Sequence, residues 1–432
     1  MLRLGYSLCW LALIPALVLR LLWRARRQPE YLQHISERWG AHSESREPTL
    51  WIHAVSVGET RAAAPLVRAL LARHPDHHIL LTHMTPTGRA TAGELFGDDP
   101  RVSSAYLPYD LPWAVAAFLE RARPRLGVIM ETEIWPNLFT ACKRRGVPLV
   151  LANARLSERS ARGYRKIGAL AREALEALSV VGAQTPQDGA RLTALGAGSV
   201  QVTGNIKFDA APPPAQQALG KAFRAQVGGR PVLLAASTRE GEEALILDAF
   251  ARLGDEDVLL LLVPRHPQRF DEVARLASDR GLKLQRRSDN QRIAPETRVW
   301  LGDSMGEMFA YYQMAEVALI GGSWLPFGGQ NLIEACAVGC PVVVGPHTFN
   351  FAAVAEEAEA RGAALGCANA EAGMTTALAL LKEPARRRAM GQAGIAFVTA
   401  HQGATQRTLD ILEGLLAPDQ GHAPRPGRPI DG

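Results

Sequence analysis

The sequence predicts an α/β protein with two Rossmann-like domains, each a doubly wound parallel sheet, preceded by one long apolar helix. Three observations support this fold class. Short apolar runs alternate with helical patterns from residue 49 onward, as parallel sheets require. A stiff proline-rich segment, DAAPPP at residues 209–214, interrupts the alternation once. The length of 432 residues exceeds what a single core supports.

The N-terminal element is the apolar stretch at residues 4–23, which is long enough to cross a bilayer core. Arg24, Arg26 and Arg27 follow it, and positive charge on that flank places the rest of the chain in the cytoplasm. No small-residue cleavage site follows the stretch. We therefore expect residues 1–28 to be a membrane anchor rather than a cleaved signal peptide. A helix that spans the membrane and one that lies in its interface both fit the pattern.

The first domain is expected at residues 29–210. Its predicted strands are residues 50–55, 78–83, 102–107, 126–130 and 149–152, with helices that include residues 60–73 and 113–123. The second domain is expected at residues 211–416. Its predicted strands are residues 232–236, 258–264, 299–301, 317–320 and 341–344, with helices that include residues 240–253 and 268–281. Residues 417–432, rich in proline and glycine, are predicted to form a disordered tail.

Composition narrows the class of function. A hydrophobic content of 47% with 21% charged residues is typical of globular proteins. The net charge of +5 fits an anionic surface or substrate, such as phospholipid headgroups or phosphosugars. Nucleic acid is not an expected partner, because no basic tract is interleaved with aromatic residues. The five cysteines show no CxxC spacing, so a reducing compartment is expected, with Cys336 and Cys340 buried as small apolar residues.

Motifs in the first domain follow its predicted strands, where ligands of such sheets bind. Ser56, Gly58 and Glu59 follow the first strand, and a carboxylate there can accept the proton of an attacking hydroxyl group. Alternatively, Glu59 is an early-helix residue that the helix dipole favours. Thr85, Thr87 and Gly88 follow the second strand.

The Thr85–Gly88 motif can hold an acceptor, or Thr85 caps the helix that Pro86 begins. Glu131 and Glu133 close a further strand and can assist catalysis or orient a basic side chain, and their spacing is a weak metal signal.

A cluster of positive charge follows at residues 153–166. Arg155, Arg159 and Arg162 recur at helical spacing, so they share one face. Such a face can bind phosphate groups, or it can be a solvated basic surface.

The second domain contains GGSWLPFGGQNLIEACAVGCPVVVGPHTFNF at residues 321–351. Glycines allow the backbone to approach a phosphate, and a helix start directs free N–H groups at it. Glu334, early in that helix, can accept hydrogen bonds from a ribose diol. This pattern indicates a nucleotide-sugar pocket. No metal site is predicted, since HExxH, Walker A and paired CxxC motifs are missing from the sequence.

In order, these motifs resemble the 3-deoxy-D-manno-octulosonic acid (Kdo) transferases of Gram-negative lipopolysaccharide assembly. The resemblance is carried by HAVSVGE, TPTG, ETEIWPN, NARLSERS, TGNIKFD, PRHP, GDSMGEM, GGQNLIEA and GPHTFNF, and it runs to about residue 415. It implies a GT-B fold with a cleft between the two domains, a CMP-Kdo donor, a lipid A precursor (lipid IVA) as acceptor, and inversion at the anomeric carbon. It also implies that transfer needs no metal and no cofactor, and that the catalytic domains lie on the cytoplasmic face of the inner membrane, in contact with phospholipid.

The resemblance also assigns residues by motif. Glu59 matches the proton acceptor. Nucleotide binding is implied for Pro264, Arg265, Met305, Gly306, Glu307, Asn331, Leu332, Ile333 and Glu334. We further expect acceptor contacts from Ser56, Gly58, Thr85, Thr87, Gly88, Glu131, Arg155 and Arg159. Gln330 departs from the pattern, because the family often has His there.

Two alternatives remain at this level. A GT-B enzyme that transfers or epimerises a UDP-sugar would share the pocket motif. Comparing the affinities for CMP and UDP would distinguish such an enzyme from a Kdo transferase. The second alternative is a non-catalytic membrane scaffold that has kept a nucleotide-binding fold. The presence of Glu59 and Arg265 argues against it.

Overall fold

A computed structural model describes residues 2–26, 28–42, 48–253 and 257–417. The chain forms two units. The first contains the described residues up to Asp209 together with those from Gln402 onward, and the second is Ala210–His401. The chain therefore returns to its first unit after residue 401, whereas the sequence assigned residues 211–416 to a single second domain. The predicted disordered tail lies outside the described residues beyond Ala417.

The first unit is built on a seven-stranded sheet in the order β3-β2-β1-β4-β5-β6-β7, in which every neighbouring pair is parallel. Its strands are β1 (Thr49–His53), β2 (His78–His83), β3 (Val102–Tyr106), β4 (Pro124–Met130), β5 (Leu149–Ala154), β6 (Val180–Ala183) and β7 (Val200–Val202). β1 is buried along its whole length, because helices cover both faces of a doubly wound sheet.

The helices of the first unit lie between these strands and at both ends of the unit. They are α1 (Leu2–Ala25), α2 (Val57–Arg73), α3 (Pro86–Phe96), α4 (Pro112–Ala122), α5 (Pro136–Arg144), α6 (Glu158–Lys166), α7 (Gly168–Leu175) and α8 (Pro186–Leu195). Short 3-10 helices lie at Pro29–Leu32, Ile35–Trp39 and Ile206–Asp209. Four of these α-helices begin with proline, whose fixed φ suits the first helical position.

The second unit repeats this plan with a seven-stranded parallel sheet in the order β10-β11-β9-β8-β12-β13-β14. Its strands are β8 (Val232–Thr238), β9 (Leu259–Pro264), β10 (Leu284–Arg286), β11 (Val299–Leu301), β12 (Val317–Ile320), β13 (Val342–Val344) and β14 (Ala364–Gly366). Its helices are α9 (Pro214–Val227), α10 (Glu242–Leu253), α11 (Phe270–Ser278), α12 (Met308–Met314), α13 (Ile333–Ala337), α14 (Ala352–Ala360), α15 (Ala370–Leu381) and α16 (Pro384–His401). Short 3-10 helices lie at Pro267–Arg269 and Arg287–Asp289.

The final helix, α17 (Ala404–Leu416), packs on the first unit. The Asp209 carboxylate accepts a hydrogen bond from the Gly403 backbone N–H at 2.6 Å, and Glu413 contacts the His74 ring at 3.0 Å. Leu409 and Leu412 are buried in the same core as β1 and β4. Helix α17 thus completes a core to which β1 and β4 also contribute.

All ten predicted strands are present, with ends that differ by two residues at most, whereas β6, β7, β10 and β14 were not predicted. The last three are three-residue strands with little full burial, so they lack the apolar run that marks a central strand. Cys336 and Cys340 are buried, as predicted. Within the described residues, α1 alone is long and apolar enough to cross a membrane, and it matches the predicted anchor.

Candidate active site

The strand order of the first sheet reverses between β1 and β4. Ligands of doubly wound sheets bind beyond the carboxyl ends of the strands at such a point. Glu59 lies just after β1 and Glu131 directly after β4. The structure therefore brings these two predicted site residues to the position where the fold most often binds ligands.

Glu59 lies in the first turn of α2, and its side chain is partly exposed. Its Oε2 accepts a hydrogen bond from the Val55 backbone N–H at 2.8 Å, and its Oε1 accepts one from the Ser56 hydroxyl at 3.1 Å. These contacts hold the carboxylate over the loop that leaves β1. Glu59 therefore does lie early in a helix, as the alternative interpretation predicted. Its carboxylate is nevertheless accessible.

The pKa of Glu59 is raised from its ordinary value of 4.5 to about 7. Burial is the largest cause, and the negative charges of Glu131 and Glu133 add to it, while the hydrogen bonds from Val55 and Ser56 oppose it. A carboxyl group with this pKa takes up a proton readily near neutral pH. That property is what a general base requires.

Glu131 is held in place by an ion pair. Its backbone has φ +59°, a left-handed conformation that residues with a Cβ seldom adopt. Its Oε1 lies 2.8 Å from Nζ of Lys207, in the 3-10 helix that follows β7. Glu131 thus contacts a basic side chain, one of the two roles that the sequence left open. Burial also raises the pKa of the neighbouring Glu133.

The loop after β2 contacts the loop between β1 and α2, which immediately precedes Glu59. Thr85 caps α3, since its Oγ1 accepts the Gly88 N–H at 3.1 Å, and its hydroxyl donates to the Val55 carbonyl at 3.1 Å. A Cβ at Gly88 would lie 3.2 Å from the same carbonyl oxygen, so glycine permits this close approach. Thr87 and Gly58 are exposed beside these residues.

Two neutral histidines, His53 and His83, are the last residues of β1 and β2. His83 Nδ1 contacts the Ala54 carbonyl oxygen at 2.8 Å, and His53 Nδ1 contacts the Thr82 carbonyl oxygen at 3.0 Å. Burial lowers the pKa of His53 to about 3 and that of His83 to about 4, so neither is charged at pH 7. Across the described residues, no group of three or more His, Cys, Asp or Glu side chains is arranged to hold a metal ion.

The predicted basic face lies after β5. We call Arg155, Arg159, Arg162 and Lys166 the basic face, and all four are exposed. The Arg155 backbone N–H donates to Thr132 Oγ1 at 3.1 Å, and Thr132 is the residue after Glu131. The basic face therefore begins beside the Glu131 loop.

In the second sheet the strand order reverses between β8 and β12. The segment after β12, residues 321–330, is here called the glycine loop. A Cβ at Gly321 would lie 2.5 Å from the Ser237 carbonyl oxygen, so only glycine fits against the end of β8. The loop folds back on itself through bonds from Gly329 N–H to the Gly322 carbonyl at 2.7 Å and from Gln330 N–H to the Gly321 carbonyl at 3.0 Å.

Glu242 holds the glycine loop from within. This side chain is fully buried, and its carboxylate accepts backbone N–H groups of Gly322 at 2.6 Å, Trp324 at 2.9 Å, Leu325 at 3.3 Å and Arg239 at 2.8 Å. Several N–H hydrogen bonds replace the hydration that a carboxylate loses when it is buried. Glu242 therefore fixes the backbone that was predicted to approach a phosphate.

Pro264 and Arg265 lie at the carboxyl end of β9, next to β8. The Arg265 backbone N–H donates to the Thr238 carbonyl at 2.9 Å, which fixes the turn after the strand. The Arg265 side chain is only partly exposed. Its charge contributes to a lowered pKa for the adjacent His266, whose largest cause is burial.

Met305, Gly306 and Glu307 lie between β11 and α12. The Glu307 carboxylate accepts from Arg287 at 3.1 Å, from Ser304 at 2.6 Å and from Tyr311 at 3.1 Å. This side chain is therefore saturated by protein donors. Met305 is 48% exposed, and Gly306 has φ +81°, a left-handed conformation that favours glycine.

The Asn331–Glu334 motif opens α13. Asn331 Oδ1 accepts the Ile333 N–H at 3.1 Å, and Asn331 Nδ2 donates to Glu334 Oε1 at 3.1 Å. Leu332 and Ile333 are buried, so neither side chain is accessible to a ligand. The Glu334 carboxylate is partly exposed and is oriented by Asn331.

Family models match both units. A model described as 3-Deoxy-D-manno-octulosonic-acid transferase (kdotransferase) matches residues 33–210, and one described as Glycosyl transferases group 1 matches residues 240–397. A 3-deoxy-D-manno-octulosonic acid transferase from Bordetella pertussis is 48% identical over 95% of this chain and 99% of its own length. The chain belongs to the Kdo transferase family. A Kdo transferase from Haemophilus influenzae is 39% identical over 90% of this chain and 93% of its own length.

The solved structures confirm the fold of this Kdo transferase family member. A glycosyltransferase from Rickettsia africae ESF-5 superposes with a TM-score of 0.59 over 86% of this chain and all of that chain, at 14% identity. That identity supports the fold alone. Together with the family match, the chain is a glycosyltransferase with the two parallel-sheet domains typical of GT-B.

Sequence reasoning missed two residues that shape these Kdo transferase motifs. Lys207 lies in the TGNIKFD motif, but nothing local links it to Glu131, which lies 76 residues earlier. Glu242 lies in the run REGEE, which resembles a solvated helix start. Their contacts depend on strand order, which sequence pattern does not supply.

Proposed function

We propose that this chain transfers Kdo from CMP-Kdo to the lipid A precursor lipid IVA in lipopolysaccharide biosynthesis. The first unit would act as the acceptor domain and the second as the donor domain. Family membership supports the reaction class. The single observation that carries the chemistry is the Glu59 carboxyl group, which is accessible and has a pKa raised to about 7.

In the proposed reaction, Glu59 accepts the proton of an acceptor sugar hydroxyl while that oxygen bonds to the anomeric carbon of Kdo. The bond from this carbon to the CMP phosphate breaks, and CMP leaves with the electron pair. A single displacement of this kind inverts the configuration at the anomeric carbon. The pKa of Glu59 suits the step, because the base is ionised above pH 7 and retains affinity for a proton.

The second unit would stabilise the leaving CMP without a metal ion. Arg265 supplies a positive charge, and the backbone N–H groups of Gly328 and Asn331 supply fixed dipoles for the phosphate, since those of Gly329 and Gln330 donate within the glycine loop. The Glu334 carboxylate, held by Asn331 at 3.1 Å, would accept hydrogen bonds from the ribose diol. Glu242 acts indirectly, because it holds the glycine loop in the shape that the phosphate would meet.

The basic face and α1 would bring the acceptor to the first unit. Lipid IVA is anionic, and four exposed cations begin beside the Glu131 loop. The apolar α1 and the arginines after it support attachment to the cytoplasmic face of the inner membrane, where phospholipid is the partner.

The decisive experiment incubates the full-length purified protein with CMP-Kdo and lipid IVA in detergent and records product masses. The proposal predicts that the acceptor gains the mass of one or more Kdo units while CMP is released. The affinities of the protein for CMP and for UDP are measured by calorimetry alongside the assay. We expect CMP to bind more tightly than UDP. Preferential UDP binding together with an unmodified acceptor would contradict both donor and acceptor assignments.

A further inference from the structure

The helix α1 packs lengthwise on the first unit. Its less exposed positions recur every three or four residues along its whole length and include residues 3, 7, 10, 14, 17, 21 and 24. This spacing forms one continuous stripe on an α-helix. The stripe contains polar side chains at its N-terminal end and Trp10, Ile14 and Leu21 further along.

The contacts of the stripe are polar near the N-terminus of α1. Ser7 is buried, and its Oγ lies 3.1 Å from Nδ2 of Asn137, which is also buried. Tyr6 hydrogen-bonds to Asp110, whose carboxylate accepts the backbone N–H groups of Asn137 and Leu138 at 3.0 and 2.8 Å. Together these groups form a satisfied buried network between α1 and the start of α5.

Contacts with side chains of the first unit continue along the helix. Arg3 pairs with Glu173 of α7 at 3.2 Å. The Trp10 ring lies 6.0 Å from the Tyr109 ring, and Ile14 packs on the cluster around Tyr109. Near the C-terminal end, the Arg24 guanidinium lies 5.3 Å from the centre of the Tyr31 ring.

The rest of the helix surface is apolar and exposed. Leu4 and Leu19 are 66% and 67% exposed. The other exposed large apolar residues of α1 are Leu2, Leu8, Leu11, Leu13, Val18, Leu22 and Trp23. A surface of this extent requires an apolar partner. The positive charges of Arg20, Arg24 and Arg26 at one end favour an anionic lipid surface as that partner.

A spanning orientation conflicts with these contacts. About 20 residues of a spanning helix are surrounded by hydrocarbon. The network of Ser7, Asn137 and Asp110 lies near the N-terminal end of α1, within the segment that would have to cross the membrane. A spanning orientation would therefore either place this network at hydrocarbon depth or break it. Removing the partners of buried polar groups is costly in free energy. A helix in the membrane plane keeps every one of these contacts.

We propose that α1 lies in the plane of the membrane surface, packed along the first unit, with its exposed apolar face inserted into an anionic bilayer. This inference rests on the proposed membrane association and specifies its geometry. Asp110 follows β3 and Asn137 follows β4, so α1 packs at the carboxyl edge of the sheet that also carries Glu59. The headgroup of a lipid acceptor can therefore reach that edge directly from the bilayer surface.

Thiol accessibility tests the proposal in inner-membrane vesicles from a Gram-negative host that expresses the full chain. The background carries Cys9→Ser and Cys367→Ser, because Cys9 is exposed and Cys367 partly so, while the other cysteines are buried. Leu2→Cys reports the N-terminal end of α1 and Arg26→Cys the C-terminal end. Both positions are exposed, so neither substitution disturbs packing. Leu4→Cys and Trp23→Cys form a second pair.

We expect a membrane-impermeant maleimide to modify Arg26→Cys many-fold faster in inside-out than in right-side-out vesicles. Leu2→Cys, Leu4→Cys and Trp23→Cys lie on the inserted face, so we expect the reagent to reach them in neither vesicle type until detergent is added. Faster modification of Leu2→Cys in right-side-out vesicles, with Arg26→Cys modified in inside-out vesicles, would show a spanning helix and overturn the proposal. Failure of the protein to sediment with the vesicles would instead overturn the membrane association itself. Transfer activity is measured separately, so neither outcome depends on it.

Discussion

Glu59 and Glu242 occupy equivalent places in the two sheets but have opposite surroundings. Each lies at the start of the helix that follows the strand where the order of its sheet reverses, β1 for Glu59 and β8 for Glu242. Glu59 accepts two hydrogen bonds and is partly exposed. Glu242 accepts four backbone N–H groups and is fully buried.

The difference shows how hydrogen-bond saturation decides the role of a carboxylate. Burial raises the pKa of both groups, but four backbone hydrogen bonds oppose the rise at Glu242. At Glu59 only two hydrogen bonds lower the pKa, whereas burial and the negative charges of Glu131 and Glu133 raise it. The net result is a pKa of about 7. Glu59 is thus suited to proton transfer, whereas Glu242 is suited to holding a loop.

The largest expected effect is on turnover by Glu59→Gln. Loss of a general base typically lowers the rate by about 10²- to 10⁴-fold. The amide can still accept the Val55 N–H, so the free energy of unfolding and CMP affinity should change little. Single-turnover rates with saturating CMP-Kdo measure the effect. Glu94→Gln, an exposed glutamate on α3, is the matched control and should keep wild-type turnover. Turnover of Glu59→Gln within a fewfold of wild type would remove the assigned base.

Glu242→Gln should act on stability and donor binding instead. The amide replaces one acceptor oxygen by an NH2 group that faces backbone N–H donors, so we expect the free energy of unfolding to fall by about 2–4 kcal/mol. CMP affinity should weaken as the glycine loop loses its support. Urea unfolding and calorimetry measure both quantities. Glu240→Gln, exposed two residues earlier, is the control. Unchanged stability and affinity would show that the four hydrogen bonds do not fix the loop.

Gly321→Ala tests the glycine loop without changing a charge. The added Cβ would lie 2.5 Å from the Ser237 carbonyl oxygen, so the end of β8 or the loop must move. We expect a loss of about 1–3 kcal/mol, as for other overpacked sites. Gly163→Ala, on α6, has nothing within 4 Å of its Cβ and should be neutral or slightly stabilising. Equal thermal midpoints for the two variants would contradict the close approach.

The sequence pattern predicted those parts of the fold that depend on residues close together in the chain. The ten predicted strands carry apolar runs, and Glu59, Thr85 and Glu131 were singled out because they follow such runs. The GT-B fold and the Kdo transferase family followed from the order of the motifs. The capping role of Thr85 also followed from its position before Pro86.

The features that sequence did not supply depend on distant pairing. The return of α17 to the first unit rests on contacts such as Asp209 with Gly403 and His74 with Glu413. The Glu131–Lys207 pair joins residues on two separate loops. Glu242 was overlooked because a charged residue at a helix start is usually solvated, and only the strand order places it beneath the glycine loop.

The pH dependence of kcat/KM tests the central claim, that ionisation of Glu59 controls transfer. A base must be deprotonated, so the rate should be low below pH 7, rise through an apparent pKa of about 7 and level off above it. Glu131→Gln removes one cause of the raised pKa and leaves the Lys207 charge nearby, so the inflection should move to lower pH. A profile without an inflection near pH 7, or one that Glu131→Gln leaves in place, would contradict the account.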